Sequence, residues 1–119
     1  MSLRDQIRKG STETLIMSLL SEEPMYGYQL SQELARRSDG YFAMQEGLLY
    51  PTLHRMQQDG LVTSEWRQAQ GARRRKYYSL TAKGREQLGE QSAEWETFMQ
   101  ALRALLAGGE LSAGAETAE

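Results

Sequence analysis

The sequence has no cysteine and a single histidine among its 119 residues. Without cysteine there is neither a disulfide framework nor a thiolate metal site, and the commonest nucleophile of small hydrolases is missing. One histidine leaves almost no capacity to bind a metal, and no Ser-His-Asp set or phosphate-binding glycine loop can be assembled. We therefore expect a protein that is not an enzyme, with no catalytic residues, no metal and no cofactor.

The sequence also lacks a long apolar run. Its first ten residues, MSLRDQIRKG, are charged and lack the apolar centre of a secretory signal, and no later stretch is long enough to cross a bilayer. A cytoplasmic protein without membrane contact is expected. The length suits one domain with an appended element, and its modest core leaves room for a partner chain to contribute stability.

Positive charge is scarce overall but concentrated in one place. The formal net charge is −2, which alone argues against a nucleic-acid partner because phosphates require local positive charge. Residues 1–84 contain 12 Lys and Arg against 9 Asp and Glu, whereas residues 85–119 contain 2 against 7. Five cations and no acid lie in one short stretch: Arg67, Arg73, Arg74, Arg75 and Lys76. Such a run is often only a solvated surface, but a phosphate backbone attracts this density of charge.

Apolar residues at helical spacing predict two helices in the first third of the chain. Ser11 or Thr12 is expected to cap the first, which stops at Pro24. The second begins near Tyr26 and ends at residues 38–40.

A third helix is predicted to begin within residues 45–48 and to close at Gly60. Its apolar stripe consists of Leu49, Leu53 and Met56. The opposite face then carries Tyr50, His54 and Gln58 one above another. The third helix thus has one face for the core and one polar face for a partner.

The pattern changes after Gly60 to short runs rich in Val, Thr, Trp and Tyr. Leu61–Trp66 and Lys76–Leu80 are predicted to form two strands joined by a long basic loop. Thr81 caps a long last helix that ends at Gly108 and Gly109. Its residues at alternating intervals of four and three form a coiled-coil seam: Leu88, Ser92, Trp95, Met99, Leu102 and Leu106.

The expected fold class is mainly α with a small two-stranded antiparallel hairpin, which is the order of a winged helix-turn-helix plus a long C-terminal dimerisation helix. Residues 1–80 form the winged helix-turn-helix DNA-binding domain, 81–107 the dimerisation helix and 108–119 a flexible acidic tail. A fold of this kind does not by itself define a function.

The candidate DNA-binding residues lie on the third helix, in the basic loop and before the first helix. Leu48 and His54 are candidates for base edges, whereas Tyr50 and Arg55 are candidates for phosphates. The complete set is Lys9, Leu48, Tyr50, His54, Arg55, Gln58, Arg73, Arg74, Arg75 and Lys76. In the alternative interpretation His54 is merely exposed and Tyr50 packs over a neighbouring helix. Tyr26, Gly27 and Tyr28 could suggest an aromatic binding patch, but we expect Gly27 to permit close packing at the start of the second helix.

Four segments together resemble the PadR family of bacterial transcriptional regulators. They are GSTETLIMSLL, PMYGYQL, EGLLYPTLHRMQQDGLV and GARRRKYYSLTAKGREQL, followed by Trp95. The resemblance, to the short branch with one C-terminal helix, implies a homodimer built through the last helix. It also implies binding of double-stranded DNA with a two-fold operator by helix three and the wing, and usually repression relieved by a small molecule. Gln45 and Glu46 depart from the family, in which a cap residue and often Pro precede helix three.

The last helix has two interpretations. Leu88, Trp95, Met99, Leu102 and Leu106 form the expected dimer interface. In some PadR-like regulators the equivalent region lines a drug or phenolic-ligand pocket, so a small aromatic or hydrophobic effector beside Trp95 stays open.

A different class of function also stays open. The acidic pI and tail are compatible with a winged-helix protein-interaction module that does not bind DNA directly.

Overall fold

A computed structural model describes residues 2–68, 71 and 73–115, with side chains described up to residue 108. Its elements in chain order are α1 (Leu3–Leu20), β1 (Met25–Tyr26), α2 (Gly27–Arg37), α3 (Glu46–Gln58), β2 (Val62–Gln68), β3 (Arg74–Leu80) and α4 (Ala82–Ala115). The chain divides into two compact units, Met1–Leu88 and Gly89–Glu119. The mainly helical winged-helix class is confirmed. None of the described helices is long and apolar enough to span a membrane.

Helix α1 begins nine or ten residues earlier than expected. Its N-cap is Ser2, whose hydroxyl accepts a hydrogen bond from the amide of Asp5 at 3.1 Å. A cap at Ser11 or Thr12 is therefore wrong: both lie buried inside the helix. Their hydroxyls donate to backbone carbonyls four residues earlier, at 2.8 and 2.6 Å. This internal bond lets a cap-like residue occupy a helix interior.

Helices α2 and α3 lie where the sequence predicts them. Helix α2 ends at Arg37 with Ser38 as its C-cap, and α3 is closed by Gly60, whose φ of 78° is a left-handed conformation that glycine adopts without strain. The N-cap of α3 is Gln45, which makes no side-chain capping hydrogen bond. The departure from the family pattern at this position thus leaves α3 without a side-chain cap.

The sheet has three strands in the order β1-β3-β2, all antiparallel. Two residues of β1, Met25 and Tyr26, pair with Tyr78 and Tyr77, and this strand was not predicted. The hairpin strands are also longer than expected, with Gln68 paired to Arg74. Strand β3 therefore includes Arg74 and Arg75, which were assigned to the loop, as well as Lys76. Their long side chains contact aromatic rings of the sheet, which accommodates them in a strand.

The core of the first unit joins α1, α2, α3 and the sheet. Its fully buried side chains are Ile16, Met17, Met25, Leu30, Leu49, Leu53, Met56, Leu61 and Val62. Burial of each such side chain contributes about 1.5–3 kcal/mol before the entropy cost of ordering. Because the apolar stripe of α3 is held in this core, its polar face is turned outward.

An ion-pair cluster joins the ends of α1 and α2. Arg37 bonds Glu22 at 2.7 Å and Glu33 at 2.8 Å, and Arg36 bonds Glu33 at 2.7 Å. The hydrogen bonds from Arg36 and Arg37 lower the pKa of Glu33 to about 2. This carboxylate therefore stays charged at any pH above the strongly acidic range.

The first turn of α4 is fixed closely against the hairpin. The Thr81 hydroxyl accepts from the amide of Gly84 at 2.9 Å and donates to the carbonyl of Gly60 at 2.7 Å. A Cβ at Gly84 would lie 2.6 Å from Cδ1 of Leu80 and still closer to the carbonyl oxygen of Leu61. The cap expected at Thr81 is confirmed, and Gly84 permits a close approach of backbones.

Helix α4 does not end at Gly108 and Gly109. It continues to Ala115, so an acidic tail over 108–119 is helical for most of its length, and residues 116–119 lie outside the described residues. Each glycine costs a helix about 1 kcal/mol relative to alanine. The surrounding Ala, Leu and Glu residues favour a helix, and no proline interrupts it.

Candidate nucleic-acid interface

The hairpin of β2 and β3 is the wing of this winged-helix fold. One depression of about 780 Å³ lies between α3 and this hairpin. Tyr50, His54 and Gln57 line it from α3, and Trp66 lines it from β2. Residues 73–76, the four consecutive cations, line it from β3 and the position before it. We call this depression the α3–wing groove. No carboxylate lies among the described residues that line it.

The faces of α3 are divided as the sequence predicts. Leu49, Leu53 and Met56 are fully buried. Tyr50, His54 and Gln58 are exposed, as is Leu48. Of the polar residues, Tyr50 and His54 line the groove, whereas Gln58 does not and Gln57 takes its place.

Tyr50 joins the groove to the start of α2. Its ring lies against Gly27, where a Cβ would come within 2.6 Å of Cε1 and Cζ. Partial burial, and secondarily the charge of Glu46, raises the pKa of Tyr50 above its usual value. The phenol therefore stays protonated and able to donate a hydrogen bond. Tyr50 therefore both packs against α2 and is exposed to the groove.

The cations of the wing are divided between the two faces of the sheet, because successive strand residues point to opposite sides. Arg74 and Lys76 share the face of Trp66, which pairs directly with Lys76. The Arg74 guanidinium lies 5.3 Å from the Trp66 ring. Arg75 belongs to the other face and lies 4.5 Å from the ring of Tyr26.

The groove cations have no acidic partner among the described residues. Residues 73–76 make no ion pair with any described residue, whereas Arg36, Arg37, Arg55 and Arg67 each bind a carboxylate. The charge of the groove is consequently available to an anionic ligand.

Three other candidates lie outside the groove. Lys9, Leu48 and Arg55 line a second depression of about 740 Å³. Lys9 belongs to α1 instead of preceding it. The Arg55 guanidinium donates to the Glu13 carboxylate at 3.2 and 3.3 Å. A phosphate contact by Arg55 therefore requires sharing or breaking this pair.

Trp66 is one of the groove residues that the sequence reasoning missed. It was treated only as part of a strand, yet its side chain is 57% exposed. An exposed tryptophan directly before a run of arginines is a signal that could have pointed to it, since aromatic rings and cations together suit nucleic acids.

The second unit presents an apolar face on α4. Met99, Leu102 and Leu106 of the predicted seam are exposed, and Trp95 is half-buried against Phe98 in an edge-to-face contact at 5.6 Å. Phe98 and Leu105, which were not predicted, are also exposed. Leu88 is instead partly buried against the core of the first unit.

The model of the transcriptional regulator PadR-like family matches residues 16–90. This chain belongs to the PadR-like family. The matched range contains α2, α3, the hairpin and the first turns of α4, which includes every residue of the α3–wing groove. PadR-family proteins are transcriptional regulators and not enzymes, they bind DNA, and they are generally dimeric.

Individual PadR-like relatives agree with this assignment. The chain is 35% identical over 85 residues to the transcriptional regulator Rv3488 of Mycobacterium tuberculosis, covering 71% of this chain and 76% of that protein. A PadR-like transcriptional regulator of Bacillus cereus is 37% identical, with 85% and 96% of the two chains covered and a TM-score of 0.77. A PadR-family regulator of Eggerthella lenta is 35% identical, with 85% and 86% covered and a TM-score of 0.73.

Proposed function

We propose that this chain is a homodimeric, sequence-specific DNA-binding repressor that is released by a small-molecule effector. One observation carries the DNA-binding part: four cations without an acidic partner among the described residues share a groove with the polar face of α3. Local positive charge attracts a phosphate backbone despite the acidic pI of the whole chain. DNA is the partner, so the cytoplasm is the proposed place of action.

The outward side of α3 and the wing supply both kinds of contact that a DNA-binding protein needs. His54 and the exposed Leu48 are proposed to contact base edges in the major groove, because they lie on the outward part of α3. Tyr50 is proposed to donate a hydrogen bond to a phosphate. The wing cations 73–76 contact the flanking backbone or minor groove. Lys9, Arg55 and Gln58 add contacts at the margins.

The second copy is proposed to cover the apolar face of α4. Trp95, Met99, Leu102 and Leu106 recur at coiled-coil spacing, and three of them are exposed. Residues 1–80 then act as the DNA-binding domain and the last helix as the dimerisation element. Two copies related by a two-fold axis read half-sites about 34 Å apart, which is one turn of the duplex.

The effector is proposed to bind at the same seam. Trp95 and Met99 offer an aromatic and an adaptable apolar surface to a small aromatic or hydrophobic molecule. Filling this space changes the angle between subunits and so the spacing of the two α3 helices. A Trp95→Ala dimer that keeps both operator affinity and the effector response contradicts this part.

Selection of DNA fragments by the purified full-length protein tests the proposal. Sequencing of the bound fragments is expected to reveal a two-fold related motif, and hydroxyl-radical footprinting to reveal two protected patches one helical turn apart. Absence of any retarded band at low salt, both for selected fragments and for the protein's own promoter, favours the protein-interaction module instead.

A further inference from the structure

The α3–wing groove has more aromatic surface than contacts to a DNA backbone use. Trp66, Tyr28 and Tyr50 line it with exposed fractions of 57%, 53% and 41%. Phosphates are bound by cations, hydroxyls and amides, and the face of an aromatic ring adds nothing to that contact. The ring faces are suited instead to stacking on another planar group.

Phosphate-binding groups lie directly beside these rings. Arg74 lies over Trp66 at 5.3 Å, and Lys76, the direct strand partner of Trp66, lies on the same face of the sheet. A guanidinium is a planar fork of donors that matches two phosphate oxygens at once. Neither Arg74 nor Lys76 has an ion pair among the described residues, so no described carboxylate competes for these donors.

The dimensions of the groove fit a small molecule. Its volume of about 780 Å³ lies within the range of ordinary ligand sites, roughly 300–1,000 Å³. The described lining residues include aromatic rings and cations but no acid. This composition selects an anion that also has a flat ring.

We propose that the α3–wing groove also binds a free nucleotide, a planar heterocycle that carries a phosphate. The heterocycle stacks on Trp66, and the phosphate contacts Arg74 and Lys76, which share the face of Trp66. This inference rests on the proposed function, because duplex DNA is proposed to occupy the same groove. Nucleotide and duplex therefore compete, and a nucleotide releases DNA directly without acting through α4.

Isothermal titration calorimetry of the full-length protein with adenosine monophosphate tests the site. Adenosine and inorganic phosphate are titrated separately, so that ring and phosphate contributions are distinguished. The monophosphate is expected to bind saturably and at least about tenfold more tightly than either part. The inference is overturned if no saturable binding occurs at millimolar monophosphate, or if inorganic phosphate binds equally well.

Two substitutions of Trp66 separate stacking from folding. Trp66→Leu is expected to weaken binding of adenosine monophosphate by about tenfold or more, whereas Trp66→Phe retains most of it because a ring face remains. Arg85→Ala, an exposed cation that does not line the groove, is the matched control and leaves the affinity unchanged. Equal affinities for wild type and the leucine variant contradict the assigned stacking.

A competition experiment distinguishes failure of this inference from failure of the proposed function. Binding of a selected fluorescent duplex is measured by anisotropy, first without nucleotide and then with increasing adenosine monophosphate. Duplex binding without displacement overturns only the nucleotide site. Nucleotide binding without any duplex binding overturns the proposed function instead.

Discussion

Gly27→Ala is expected to disturb the groove more than the fold. The added Cβ would lie 2.6 Å from two ring atoms of Tyr50, so the ring and this methyl group cannot both keep their places. Overpacking of a core costs about 1–3 kcal/mol, but the Tyr50 ring is 41% exposed and can turn outward. Alanine also favours the helix by up to about 1 kcal/mol. The free energy of unfolding should therefore change by less than about 1 kcal/mol.

DNA binding should respond much more strongly to this change. A displaced Tyr50 loses its hydrogen bond to a phosphate, and bonds to charged groups are worth about 1.5–3 kcal/mol. The dissociation constant for a selected duplex should rise at least about tenfold. Urea unfolding at equal protein concentration and duplex anisotropy measure the two effects.

A double-mutant cycle with Tyr50→Ala tests the route of this effect. If Gly27→Ala acts through the Tyr50 ring, it should change duplex affinity little once that ring is absent. The reasoning is refuted by an equal loss of affinity in both backgrounds. The reasoning is also refuted if Gly27→Ala alone is more than about 2 kcal/mol less stable than wild type, because the backbone and not the Tyr50 ring has then moved.

Three further results are expected. Gly84→Ala should destabilise the protein by more than about 2 kcal/mol because the added Cβ meets backbone atoms. Gly89→Ala should instead stabilise α4 by up to about 1 kcal/mol, because a Cβ there has no other atom within 4 Å. Thermal unfolding of the two variants compares these effects. Glu33→Gln should lower stability near neutral pH. Since the folded pKa of Glu33 is about 2, below its usual 4.5, the deficit should shrink as pH falls from 4.5 towards 2, and a constant deficit argues against the pair. Leu102→Glu with Leu106→Glu should give monomers with poor operator affinity, and a dimer in sedimentation refutes the seam.

Much of the fold could be predicted because the residues that a helix or strand buries recur at a regular spacing along the sequence. The stripe of Leu49, Leu53 and Met56 placed α3 correctly, and all three are fully buried. Strand β1 was missed because two residues cannot display an alternating pattern. The early start of α1 was missed because its first turns are mostly polar and exposed, and their two apolar residues, Leu3 and Ile7, form only a short stripe.

The sequence indicated which residues form the candidate site better than it indicated how they are arranged in space. The run from Arg73 to Lys76 was visible in the sequence, but its division between the faces of β3 depends on strand register. The ion pair of Arg55 with Glu13 joins residues 42 positions apart, and local spacing carries no sign of it. Contacts of this kind arise only from tertiary packing.

The salt dependence of duplex binding tests the central claim most directly. Wild type is compared with the double variant Arg74→Ala, Lys76→Ala, and with Arg67→Ala as a control, since Arg67 already binds Glu65 at 2.7 Å. The slope of log affinity against log salt should fall by about 0.9 for each phosphate contact removed in the double variant, and change little in the control. An unchanged slope in the double variant, or an equal fall in the control, would contradict DNA binding through the α3–wing groove.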